Sequence, residues 1–78
     1  MEYTLLLMKK NHLTKLLRQL RLDAGLTQSL LAEKLGHSQS YVSKYESGEQ
    51  RLDLIELEKV CNAVEVPLPV FIGKYLES

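Results

Sequence analysis

The chain has 78 residues, 45% of them apolar and 26% charged, with ten Lys/Arg balanced by ten Asp/Glu. These figures describe one small ordered domain, whose core alone rarely supplies more than about 3–5 kcal/mol, so a partner subunit is expected. The single cysteine excludes an intrachain disulfide and a cysteine-based metal cluster, and no apolar run reaches membrane-spanning length. Residues 1–10 lack the pattern of a secretory signal, so a cytoplasmic protein is expected.

Residues 1–8, MEYTLLLM, are apolar and partly β-prone at Tyr3 and Thr4. They fit a strand pairing with its twin in a dimer, an arm packed on the core, or an extension upstream of a natural start at Met8. A helix is expected from about His12 to Ala24, capped by Asn11 or Thr14. Leu13, Leu16, Leu17 and Leu20 form its inward stripe, and Gly25 stops it. Lys9, Lys10, Lys15 and Arg18 lie on its outer side, as a solvated face or as contacts to a polyanion.

The segment from Leu26 to Gly48 predicts two short helices joined by a tight turn. Thr27 is an N-cap, and Leu26 is placed to staple onto Leu31. Leu31, Ala32 and Leu35 follow at helical spacing, and Gly36 ends the helix in the left-handed region. Ser38 caps the next helix. On it Val42, Tyr45 and Glu46 share one face, while Gln39, Ser40, Ser43, Lys44 and Ser47 share the other, with Tyr41 also outward on the wheel. Leu30 stands where a glutamate would complete a capping box, which leaves an apolar side chain at the surface.

A further helix is expected from about Asp53 to Val64, with Asp53 as N-cap and Leu54, Leu57, Val60, Cys61 and Val64 as its buried stripe. Cys61 fits a small buried apolar side chain. Glu65-Val66-Pro67 breaks the helix, and a last one starts near Leu68, with Gly73 weakening its extension to the end. Leu68, Phe71 and Ile72 should close the core. Val70, Tyr75 and Leu76 exceed what that core needs and suggest a subunit interface.

The net charge of zero hides an asymmetry. Residues 1–51 carry eight Lys/Arg and five Asp/Glu, and residues 52–78 carry two and five. The half holding the two short helices is therefore the basic one, with few phosphate contacts and a shallow salt dependence expected.

In Arg21 through Gly25-Leu26-Thr27-Gln28, then Leu31-Ala32, Leu35-Gly36 and Val42-Ser43-Lys44-Tyr45-Glu46-Ser47-Gly48, the chain resembles the Cro and lambda-repressor-like (XRE) helix-turn-helix family, over roughly Leu13 to Phe71. The resemblance implies an all-α, five-helix lambda-repressor-like DNA-binding domain over residues 11–78; residues 1–10 precede the family's usual start and are expected as an arm or strand. It implies that Arg21 pairs with Glu46, an ion pair locking the first helix to the third. It also implies that Gln28 reaches a DNA phosphate and that the loop bearing Gln50 and Arg51 touches the DNA backbone. The family's usual glycine is Glu65 here, so either Glu65 bears left-handed strain or the turn is remodelled.

Catalysis is not expected: there is no glycine-rich phosphate loop, and His12 and His37 have no ligand spacing for zinc, so no metal and no cofactor is implied. The polar helix over about 38–47 carries short donors and acceptors suited to base edges in a major groove. Gln39, Ser40, Ser43 and Lys44 are the candidate base contacts. Gln28, Tyr41, Gln50, Arg51 and His37 are the candidate backbone contacts, His37 chiefly as a solvent-facing turn residue. The expected function is a sequence-specific double-stranded DNA-binding transcriptional regulator, a repressor, acting as a homodimer through residues 1–8 and/or 68–76. The alternative is an antitoxin-like interaction module of the same fold that captures a partner protein on those segments.

Overall fold

The computed structural model describes residues 2–77; Met1 and Ser78, the ends of the expected arm and domain, lie outside them. Five helices follow in order: α1 (Glu2–Asp23), α2 (Gln28–Leu35), α3 (Gln39–Ser47), α4 (Leu54–Ala63) and α5 (Leu68–Leu76). There is no strand among the described residues.

The amino-terminal segment corrects an expectation. Neither a strand nor a separate arm forms; residues from Glu2 onward are the first turns of α1. The physical reason is cooperativity. Extending an existing helix adds a hydrogen bond per residue without a new nucleus. The stretch Leu5 to Lys10 contains only strong helix formers, and Glu2 favours the positive end of the dipole. Asn11 does not act as a cap. Its carbonyl accepts a 3.0 Å hydrogen bond from the Thr14 hydroxyl inside the helix.

The other boundaries follow local chemistry. Thr27, Ser38 and Asp53 accept the N–H of Leu30, Tyr41 and Glu56 respectively, and Asp53 and Glu56 form a reciprocal capping box. Helices α1, α2 and α4 end in one motif: a six-to-one and a five-to-two backbone pair around a left-handed residue. That residue is Gly25 after α1, Gly36 after α2 and Glu65, at φ +60°, after α4. The turn keeps its left-handed form and Glu65 carries the strain. Helix α5 passes through Gly73 and continues to Leu76.

Leu17, Leu20, Leu31, Ala32, Val42, Tyr45, Val60, Cys61, Val64 and Phe71 make one core, with Leu26, Leu57, Leu68 and Ile72 packed on it. Leu54 departs from the expected stripe. It follows the N-cap directly and is 66% exposed, while Glu56 and Leu57 of the same turn face α3 and the core. Cys61 is fully buried, and burial pushes its thiol upward. Val70 and Leu76 are exposed, whereas Tyr75 is half-buried and stacks its ring on His12 of α1.

Candidate nucleic-acid interface

Helix α3 is fixed from inside. Val42 and Tyr45 are buried, and Glu46, one residue on, turns towards α1. Its carboxylate accepts the Arg21 Nε at 2.8 Å and the Arg21 Nη2 at 3.0 Å, a bidentate pair whose side chains are only 9% and 4% exposed. The third arm of Arg21, Nη1, donates to the Leu26 carbonyl at 2.9 Å, which ties in the linker before α2. Hydrogen bonding to Glu46 raises the guanidinium above its ordinary value, outweighing the desolvation that lowers it. The pair therefore joins α1, the α1–α2 turn and α3 at one point.

Gln28 carries that restraint to the surface. Its amide nitrogen donates to Glu46 Oε1 at 3.2 Å, and its amide oxygen accepts from Gln39 Nε2 at 2.7 Å. A carboxylate only accepts, so the orientation of the Gln28 amide is determined by its partner. Gln39, at the exposed first turn of α3, is thereby held from α2. It retains a second N–H and its own oxygen, the donor–acceptor pair that matches adenine in a major groove. A shallow hollow of about 650 Å³ opens at this point, lined by Arg21, Gly25, Thr27, Gln28, Ser29 and Gln39 at the N-terminus of α2. The unpaired N–H groups there favour an anion.

The remaining candidates separate into two groups. Ser40 and Lys44 are exposed on the outer face with Gln39, and Ser43 is half-buried at its edge. Ser40 Oγ lies 3.1 Å from the capping Ser38 Oγ. Gln50 and Arg51 are exposed in the loop after α3, where the Gln50 N–H closes back on the Lys44 carbonyl at 3.2 Å. His37 is exposed in the turn, as expected for a residue there.

Tyr41 is the exception. It is half-buried rather than outward: its hydroxyl donates to Glu56 Oε2 at 3.0 Å, its ring stacks on His37 at 3.8 Å, and its edge meets Tyr45. Burial and the bond to Glu56 push its phenol up to about 12. Glu56 thus serves α4 with one oxygen, in the capping box, and α3 with the other. The sequence carried the Asp53-to-Glu56 spacing that signals the box, but no signal for the Tyr41 contact or for the Gln28 relay.

Among the described residues, no cluster of His, Cys, Asp or Glu is arranged to hold a metal ion, and no helix is long and apolar enough to cross a membrane.

Comparison with known proteins gives a consistent result. A helix-turn-helix family profile matches residues 17–71. The fold is similar to an XRE-family like protein from Pseudomonas syringae pv. tomato, with a TM-score of 0.89 and 36% identity over 97% of this chain and 93% of that one. It is also similar to the restriction-modification controller protein C.Esp1396I, at TM-score 0.80 and 26% identity over 88% of this chain and 90% of that one. A third similar structure is the clp gene regulator ClgR from Corynebacterium glutamicum, at TM-score 0.78 and 28% identity over 88% of this chain and 73% of that one. No curated protein matches the chain.

Proposed function

The chain belongs to the XRE-like helix-turn-helix family of DNA-binding transcriptional regulators, and on that footing we propose that it is a repressor that reads the major groove with α3 as a homodimer. The observation that carries this reading is the division of α3. Its inner side is sealed by Val42, Tyr45 and the Arg21–Glu46 pair, while Gln39, Ser40 and Lys44 face outward and Gln39 is already oriented by Gln28. Preorganised polar groups lose less freedom on binding.

Gln39, Ser40, Ser43 and Lys44 then contact base edges, with Gln39 suited to adenine and Lys44 to guanine or phosphate. The second N–H of the Gln28 amide, the N-terminus of α2, Gln50 and Arg51 hold the phosphate backbone and set the register. Tyr41 and His37 act mainly as a stacked strut between α3, the turn and α4. Two copies on a palindrome would place half-site centres about one helical turn, 10–10.5 bp, apart. Repression follows from occupying the site against polymerase, without catalysis.

Selection of bound sites from a random DNA pool at stated salt tests the reading. It should return a palindromic or repeated half-site. Gln39→Ala and Lys44→Ala should each lose about 1–3 kcal/mol of discrimination at single base pairs. Identical site preferences in both variants and the parent chain would remove base readout from α3.

A further inference from the structure

The first turns of α1 lie outside the segment shared with the family profile, and nothing in their own chain covers them. Tyr3, Leu5, Leu6, Leu7 and Met8 are all exposed, Leu6 at 66% and Leu5 on a different face at 53%. A helix that is apolar on every side is stable only when buried. The spacing is also ordered. Tyr3, Leu6, Lys10, Leu13, Leu17 and Leu20 alternate by three and four, so the stripe that packs the core at its far end runs on as a coiled-coil-like seam. Beside it lies a groove of about 580 Å³ whose other wall is Tyr45, Gly48, Leu52 and Leu57.

We infer that the N-terminal half of α1 is the docking surface for a second copy of this chain, the two α1 segments lying antiparallel about a twofold axis near Leu6. The inference rests on the homodimer reading above and supplies its surface. The charges select this occupant and set its direction, because the segment is complementary to a reversed copy of itself. Within residues 2–10 the acid is Glu2 and the cations are Lys9 and Lys10. Antiparallel pairing brings Glu2 within a turn of the partner's Lys9 and the partner's Lys10 at both ends, while parallel pairing stacks like on like.

The contact is also wired to the DNA-facing helix. Lys10 crosses directly over Gly48, the left-handed residue that ends α3; a Cβ at Gly48 would sit 3.0 Å from Lys10 Cε. Docking at the seam therefore immobilises a side chain that touches the end of the recognition helix.

The test is the mass of the free protein by light scattering or sedimentation, without DNA. The parent chain should be a dimer. Leu6→Lys with Leu7→Lys should weaken it about thirtyfold or more, with the helical circular dichroism signal and a cooperative melt retained. Glu2→Lys should weaken it less, and adding Lys9→Glu and Lys10→Glu to that variant should restore it. A monomeric parent chain, or a dimer indifferent to the Leu6/Leu7 substitutions and instead broken by Val70→Glu or Leu76→Glu, would overturn the assignment. Failure of the triple charge exchange to restore pairing would overturn the antiparallel arrangement. A dimer that selects no DNA site would strike the regulator reading and leave the seam standing; a monomer that selects one would strike the seam and the homodimer and leave the readout by α3 standing.

Discussion

The two ends of α1 present opposite solutions to the same problem of placing a helix. Its C-terminal half is held by one buried ion pair, a left-handed glycine turn and a packed leucine stripe, each satisfied within the chain. Its N-terminal half carries the same stripe onward beside an open groove, where Tyr3 and Leu6 stay exposed. The first half is specified by polar geometry as well as burial, the second by apolar surface alone. Polar restraints fix an angle, which a reading helix requires, whereas apolar surface specifies that something must cover it and leaves the direction to the charges at its ends.

The comparison breaks most sharply at Arg21. Arg21→Ala strands the Glu46 carboxylate in a site almost closed to water, and should cost about 3–5 kcal/mol in urea or thermal unfolding. A loss within the range of an exposed ion pair, under about 1 kcal/mol, would show that packing rather than the pair orients α3.

Tyr41→Phe probes the second tie, to α4. Loss of a hydrogen bond to a charged acceptor should cost about 1.5 kcal/mol near neutral pH. Its pH dependence has a definite sign. The phenol ionises near 12 in the fold, against about 10 in the unfolded chain. Its contribution is thus complete below pH about 10 and drains away as pH rises towards 12. Stability measured across that window should fall less steeply in Tyr41→Phe than in the parent chain, the buried Tyr45 phenol supplying the remaining slope.

Glu65→Gly addresses strain rather than contact. Relieving the left-handed penalty at φ +60° should stabilise the fold by about 1 kcal/mol, offset in part by the greater freedom of glycine when unfolded. A melting temperature unchanged or lowered would show that the Glu65 side chain contributes more than its backbone loses. The smallest effect is expected at Leu30, 48% exposed at the third position of α2. Leu30→Glu should complete a capping box with Thr27 and raise stability by several tenths of a kcal/mol. A lower melting temperature would reveal that its apolar surface is covered in the working assembly.

What the sequence disclosed follows the same division. Thr27, Gly36, Ser38 and Asp53 were legible because caps and left-handed turns are decided by a few adjacent residues. Arg21–Glu46 was legible only through family resemblance, since 25 positions separate the partners. Tyr3 and Thr4 suggested extension by their β propensity, and three consecutive leucines show no period to oppose it, so the helical register of the first turns becomes visible only once α1 supplies it. Tyr41 was misplaced for a different reason. A helical wheel gives the azimuth of a residue about its own axis and says nothing of a carboxylate that a neighbouring helix brings alongside.

Cys61, the chain's lone thiol, is sealed in the last turn of α4 and held towards its protonated form. It is consequently a silent gauge of opening. A thiol-modifying reagent can reach it only through excursions that expose the core, so its labelling rate, followed with and without DNA, counts how often the domain breathes and how far an operator suppresses that breathing.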